Sequence, residues 1–160
     1  MGNYLFKQLR FVRTNTVQRV KDMSMEKACI VPRGFNNNVL WNLGHILFVH
    51  ERFSFALINE KMELPNHFAE LFAPGTKPEN GGTPLPELDE IIFLLSNQMD
   101  RIEQSLENRL EEQLEKPYVT STGLEISTIK ECLSFCLYHE GMHFAAIKSI
   151  KQQLGKEEIV

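Results

Sequence analysis

The sequence predicts an all-α domain built from four long helices. Four segments place apolar side chains at alternating steps of three and four residues, the repeat of a helix face. No stretch shows the period-two alternation of a half-buried strand. Pro and Gly gather in the connections, above all in residues 61–86. A chain of 160 residues is long enough for a substantial core without staples, so residues 1–160 are read as one domain.

The first helix is expected from about Asn3 to Met23, burying Leu5, Leu9, Val12, Thr16, Val20 and Met23. Lys7, Arg10, Arg13, Arg19, Lys21, Lys27 and Arg33 make this region basic, with only Asp22 and Glu26 against them. Such a run reads as a solvated helix face; contact with nucleic acid is the alternative. The whole chain carries 17 basic and 21 acidic residues, a net charge of −4, which argues against a dedicated nucleic-acid binder.

A connection through residues 24–37 leads to Asn36, Asn37 and Asn38, which are candidate N-caps for a second helix, about Asn38 to Asn59. That helix is apolar nearly all round, through Trp41, Leu43, Ile46, Leu47, Phe48, Phe53, Phe55, Leu57 and Ile58. A four-helix bundle leaves each helix partly uncovered, so the excess predicts a homodimer. Residues 61–86 form a connection too long to be a simple turn. Extended, it can run the length of the second helix and return the chain to its start, leaving the second and third helices parallel. It can also cover an end of the bundle, bringing His67 or Phe68 over a pocket.

The third helix is expected from Glu87 to Glu115, burying Leu88, Ile91, Leu95, Met99, Ile102, Leu106, Leu110 and Leu114, with Pro117 ending it. Thr128 and Glu131 fit a capping box opening the fourth helix, and Gly155 fits its stop after Leu154.

The chemistry concentrates on that fourth helix. Ile129, Cys132, Cys136, His139, His143, Ala146 and Ile150 share one stripe, so two imidazoles stand a turn apart on an otherwise apolar face. Such a pair can share one metal ion; core histidines satisfied by hydrogen bonds are the alternative. His45 lies inside the second helix, whereas His50 points about 140° away from it. Cys136 is read as a core residue or a further ligand, Glu140 as solvated, and Asn42 as a partner for a ligand or a surface residue. Gly44 and Gly141 flank the histidines and predict close helix approach or room for a ligand. Three cysteines, two of them one turn apart, do not suggest a disulfide framework. The N-terminal MGNYLFKQLR lacks the apolar run of a signal peptide, and no apolar run is long enough to span a bilayer, so a cytoplasmic protein is expected.

The segment WNLGHI around His45, the long Pro/Gly crossover and the His139-x-x-x-His143 pair resemble the DinB/YfiT superfamily of metalloenzymes. The resemblance spans essentially the whole chain in helix order and histidine placement. It implies a four-helix bundle of up-down-down-up order with a long crossover between helices 2 and 3. It also implies a metal site of His45, His139 and His143. Three neutral imidazoles suit a divalent transition metal, zinc or nickel first, with iron and copper also compatible, and leave a position for a small-molecule substrate. Some members use a low-molecular-weight thiol, which makes a thiol-dependent S-transferase acting on small electrophiles the expected activity. Many members follow the second histidine of the pair with Arg-Gly-Gln, and here Phe144-Ala145-Ala146 stands instead. A metal-dependent hydrolase is the second reading, with Glu51, Glu140 and His67 as candidate bases. A non-catalytic metal-binding or interaction bundle is the third.

Overall fold

Asn38 begins the helix at the centre of the molecule. Its backbone is extended and its Oδ1 accepts the Trp41 amide at 2.8 Å, which satisfies the first turn. The structure, a computed structural model, describes residues 2–78 and 82–157. The elements in order are α1 (Gly2–Val20), α2 (Met25–Ala28), α3 (Val39–Ser54), a 3-10 turn (Ala56–Ile58), α4 (Phe68–Phe72), α5 (Leu88–Leu106), β1 (Gln113–Val119), β2 (Glu125–Thr128) and α6 (Ile129–Glu157). The chain is mostly helical, and α1, α3, α5 and α6 correspond to the four long helices that the sequence predicts.

α1 and α3 each pack against both α5 and α6. Side chains crossing between helices show how they run. Along α1 and α6 the numbering rises together, since Arg13 meets Glu140 and Lys151 reaches the Arg19 carbonyl. Along α3 and α5 it also rises together, from the Leu47 carbonyl meeting Gln98 to Glu51 meeting Arg101. α3 and α6 run in opposite senses, with Asn42 against His143 and His50 against Cys136.

The apolar core forms two clusters. One gathers Leu40, Leu43 and Leu47 of α3, Phe68 and Phe72 of α4, Ile91 and Leu95 of α5, and Ile147 and Ile150 of α6. The other gathers Phe6 and Leu9 of α1, Val49 and Phe53 of α3, Met99 and Ile102 of α5, and Cys132 and Cys136 of α6. Cys136 is thus a core residue, and burial pushes its thiol well above the ordinary cysteine range. Between the clusters lie the buried polar residues Arg13, His50, Glu51, Gln98 and Glu140.

Fourteen of the sixteen residues of α3 are buried within this one chain. The crossover supplies part of the cover: Phe68, Leu71 and Phe72 join the cluster around Leu40–Leu47. The cover that the apolar excess of α3 requires is therefore largely supplied within one chain. Phe68 is a core residue rather than a pocket cover, and His67 precedes α4 as its N-cap. Among the described residues, no helix is long and apolar enough to cross a membrane.

The structure corrects several boundaries. α3 stops at Ser54 rather than Asn59, and the chain turns there, with Asn59 left-handed at φ 60°. α6 runs through Gly155 to Glu157. Its start is the predicted capping box: the Glu131 amide donates to Thr128 Oγ1 at 3.2 Å, and Glu131 Oε2 accepts the Thr128 amide at 3.0 Å. The third helix ends at Leu106, and an antiparallel β1–β2 hairpin takes the place of its expected last turns. Leu110 and Leu114 are buried as expected, although neither is helical. The reason is tertiary. The carbonyls of Leu110 and Glu112 accept the amides of Lys130 and Ile129 at 2.9 and 3.1 Å, satisfying donors at the α6 N-terminus that a longer α5 would leave bare. Pro117, expected to end a helix, lies in β1 where the register is irregular, a position that does not need its missing N–H.

The two glycines of interest differ. A Cβ on Gly44 would stand 2.4 Å from the Phe72 ring, so this glycine admits α4 against α3. A Cβ on Gly141 would meet nothing within 4 Å. Gly44→Ala should destabilise the fold by about 1–3 kcal/mol through overpacking. Gly141→Ala should stabilise it by about 0.5–1 kcal/mol through helix propensity. Urea unfolding of the two variants beside wild type measures both, and equal midpoints would contradict this packing.

Candidate metal centre

His45 enters the site through the cap described above. The Asn38 carbonyl accepts the Asn42 side-chain amide at 2.7 Å, which turns Asn42 Oδ1 towards α6. There it accepts from His143 Nδ1 at 2.8 Å. One turn further along α3, His45 Nδ1 donates to the Phe72 carbonyl on the crossover at 2.7 Å. Each of these rings holds its proton on Nδ1 and presents a bare lone pair at Nε2.

α6 brings the third ring. His139 Nε2 stands 3.2 Å from His45 Nε2. The candidate ligand atoms of His45, His139 and His143 all lie within 4.8 Å of one another. Two imidazole nitrogens bound at about 2.0–2.1 Å to one tetrahedral ion are separated by about 3.3 Å, so one ion fits the His45–His139 pair. His139 Nδ1 is buried with no hydrogen-bond partner among the described residues. Such an orphan costs free energy in a core built only for packing. The three side chains lie close enough together to hold one metal ion.

Burial keeps the cluster neutral. It pushes His139 down to about 2 and His143 down to about 4, with neighbouring histidines adding to both shifts. His45 is also lowered by burial, against the raising effect of its bond to the Phe72 carbonyl. Neutral rings are the form that ligates a metal.

Trp41 closes one side. Its ring stacks on His45 with centroids 4.6 Å apart and planes 12° apart, and its indole N–H donates to Thr76 Oγ1 at 2.9 Å. The Phe135 ring stands 6.0 Å from the His139 ring. The crossover thus holds two groups at the site, the Phe72 carbonyl and Thr76, rather than the His67 that the sequence suggested.

The remaining candidates lie elsewhere and are occupied. Glu140 is buried instead of solvated, and both its carboxylate oxygens accept from Arg13 Nε at 2.9 and 3.1 Å. Arg13 is itself 3% exposed, contrary to its assignment to a solvated face. His50 points away from the cluster, as expected, accepting from Arg13 Nη2 at 3.0 Å and donating to the Cys136 carbonyl at 3.0 Å. Glu51 accepts from Gln98 at 2.8 Å, from the Glu63 amide at 2.6 Å and from Arg101. Arg13 escaped the sequence reading because the predicted α1 stripe was slightly rotated. The buried positions are Phe6, Leu9, Arg13, Thr16 and Val20, and an arginine within that repeat was the available signal.

A family model described as the DinB superfamily matches residues 8–147. No curated protein matches the chain. Among solved structures, a crystal structure described as the conserved protein of locus from Enterococcus faecalis is similar at a TM-score of 0.72 and 15% identity. That similarity covers 97% of this chain and 98% of the other. At this identity it shows a shared fold alone.

Two measurements test the centre. Trp41 is the one tryptophan in the sequence and stacks on a candidate ligand, so nickel or copper should quench its fluorescence saturably. Asn42→Leu should weaken that binding about 10- to 100-fold by freeing the His143 ring. In metal-free protein the rings also predict acid sensitivity. Their folded pKa values lie below the unfolded value of about 6.5, so the unfolded state binds more protons as the pH falls. Stability present above pH 6.5 should decline from there to about 4 through His143 and on to about 2 through His139, and less steeply in His139→Ala. Urea midpoints across this range check it; an unchanged slope in the variant would refute the assignment.

Proposed function

The chain belongs to the DinB superfamily, and on that premise we propose that it is a metal-dependent enzyme whose centre is His45, His139 and His143. The observation that carries this reading is the set of three neutral, convergent rings, two of which, His45 and His143, have their Nδ1 held by Phe72 and Asn42. The four-helix bundle of up-down-down-up order belongs to the same reading, supported by the parallel α1–α6 and α3–α5 pairs and the antiparallel α3–α6 pair.

The proposed activity is a low-molecular-weight-thiol-dependent S-transfer to small electrophiles. A divalent ion, zinc or nickel first, would supply a Lewis-acid position that keeps a thiol in its nucleophilic form. The chain's own residues hold the ring tautomers, through Phe72 and Asn42, and wall the site with Trp41 and Phe135. What favours this over hydrolysis is the fate of the candidate bases. Glu140 is bound by Arg13, and Glu51 by Gln98, Arg101 and the Glu63 amide, so neither is free to accept a proton from water. His67 lies outside the three-histidine cluster. A thiol already deprotonated needs no such base. The reading includes a small-molecule substrate and a homodimer.

Elemental analysis of tag-free protein should find about one transition-metal ion per chain. Metal at a thousand times Kd should raise the stability of wild type by about 4 kcal/mol. His45→Ala, His139→Ala and His143→Ala should each lose that gain and keep a helical spectrum, whereas His67→Ala should retain it. Turnover of an electrophile should vanish when thiol is omitted; turnover with water alone would favour the hydrolase instead.

A further inference from the structure

We propose that Arg13, His50 and Glu140 are positioning residues for the metal centre, although none of them belongs to the ligand cluster. The inference rests on the three-histidine reading above. His50 follows His45 by five residues on α3, about 7.5 Å along the helix. Glu140 follows His139 directly on α6. The same two helices that carry the ligands are therefore joined a second time, away from the ligands.

The second junction is specific in its chemistry. Arg13 Nη2 donates to His50 Nδ1, so the neutral His50 ring carries its proton on Nε2 and donates it to the Cys136 carbonyl. That N–H also faces Glu140 Oε2 at 3.5 Å. Burial and the neighbouring Arg13 charge push the His50 pKa well below its ordinary value, consistent with a neutral ring. Arg13 uses Nε on Glu140 and Nη1 on the Leu95 carbonyl at 2.5 Å, and its guanidinium also meets Gln98. All three residues are buried, at 3% exposure or less.

One contact between two helices fixes a distance and leaves rotation free. Two contacts a turn or more apart fix rotation and register together. A slip of one residue moves α6 by about 1.5 Å, enough to break both the 3.0 Å bonds of His50 and the convergence at the ligands. Arg13, standing on a third helix, meets both Glu140 of α6 and His50 of α3.

The test measures metal affinity, not stability or turnover. Tag-free, metal-free protein is titrated with cobalt(II) against a chromophoric chelator, in variants first shown folded by circular dichroism. His50→Met removes both hydrogen bonds and should weaken cobalt binding about 10- to 100-fold. His50→Gln offers an amide oxygen to Arg13 and an amide N–H to Cys136, and should stay within about threefold of wild type. The double variant Arg13→Met with Glu140→Leu removes both buried charges together, which spares the fold the cost of one unpaired ion. It should weaken binding like His50→Met, and it decides the matter if His50→Met does not fold. Wild-type affinity in either folded variant overturns the proposal. Failure of wild type itself to bind cobalt would instead overturn the three-histidine reading, and this inference with it.

Discussion

A guanidinium at the centre of a helical core constrains everything packed around it. Arg13 leaves water only because α6 offers a carboxylate, α5 a carbonyl and an amide oxygen, and α3 an imidazole lone pair. Breaking such a buried pair by removing one partner typically costs about 3–5 kcal/mol, whereas alternative packings must find an equal set of acceptors. The layer formed by Arg13, His50, Gln98 and Glu140 lies between two apolar clusters. Apolar packing supplies most of the stabilisation, and the polar layer selects one register for it.

That register places the three-histidine cluster. With α6 fixed against α3, His139 and His143 face the side of α3 that carries Asn42 and His45. The crossover then completes the arrangement from a third direction. Phe72 lays its ring against Gly44 and its carbonyl against His45, while Thr76 holds Trp41. Helix rotation, crossover docking and ring tautomer are thus linked through single hydrogen bonds. The same layer consumes Glu140 and, with Gln98 and Arg101, Glu51, so the protein brings no free carboxylate from these positions to the centre.

The sequence by itself determined the four long helices, because amphipathic repeats and caps act locally. Asn38 caps α3 and Thr128 with Glu131 caps α6 as their side-chain chemistry requires. The eight-residue stripe from Leu88 to Leu114 is buried throughout. It also determined the three histidines, through an i,i+4 pair and the resemblance around His45, and it pointed to Asn42. Tertiary structure decided the rest. α5 ended early because the α6 amides needed the carbonyls of Leu110 and Glu112, and no local propensity encodes that demand. The apolar excess of α3 was absorbed by the crossover, whose docking depends on a non-local contact at Gly44. Arg13 and Glu140 read as solvent-facing because a single-stripe view allows a helix one neighbour. α6 packs against both α1 and α3, so its buried arc is wide enough to include a residue 100° from the histidine stripe. Charge in a sequence reports what a residue is; only the packed partners decide whether water or another side chain satisfies it.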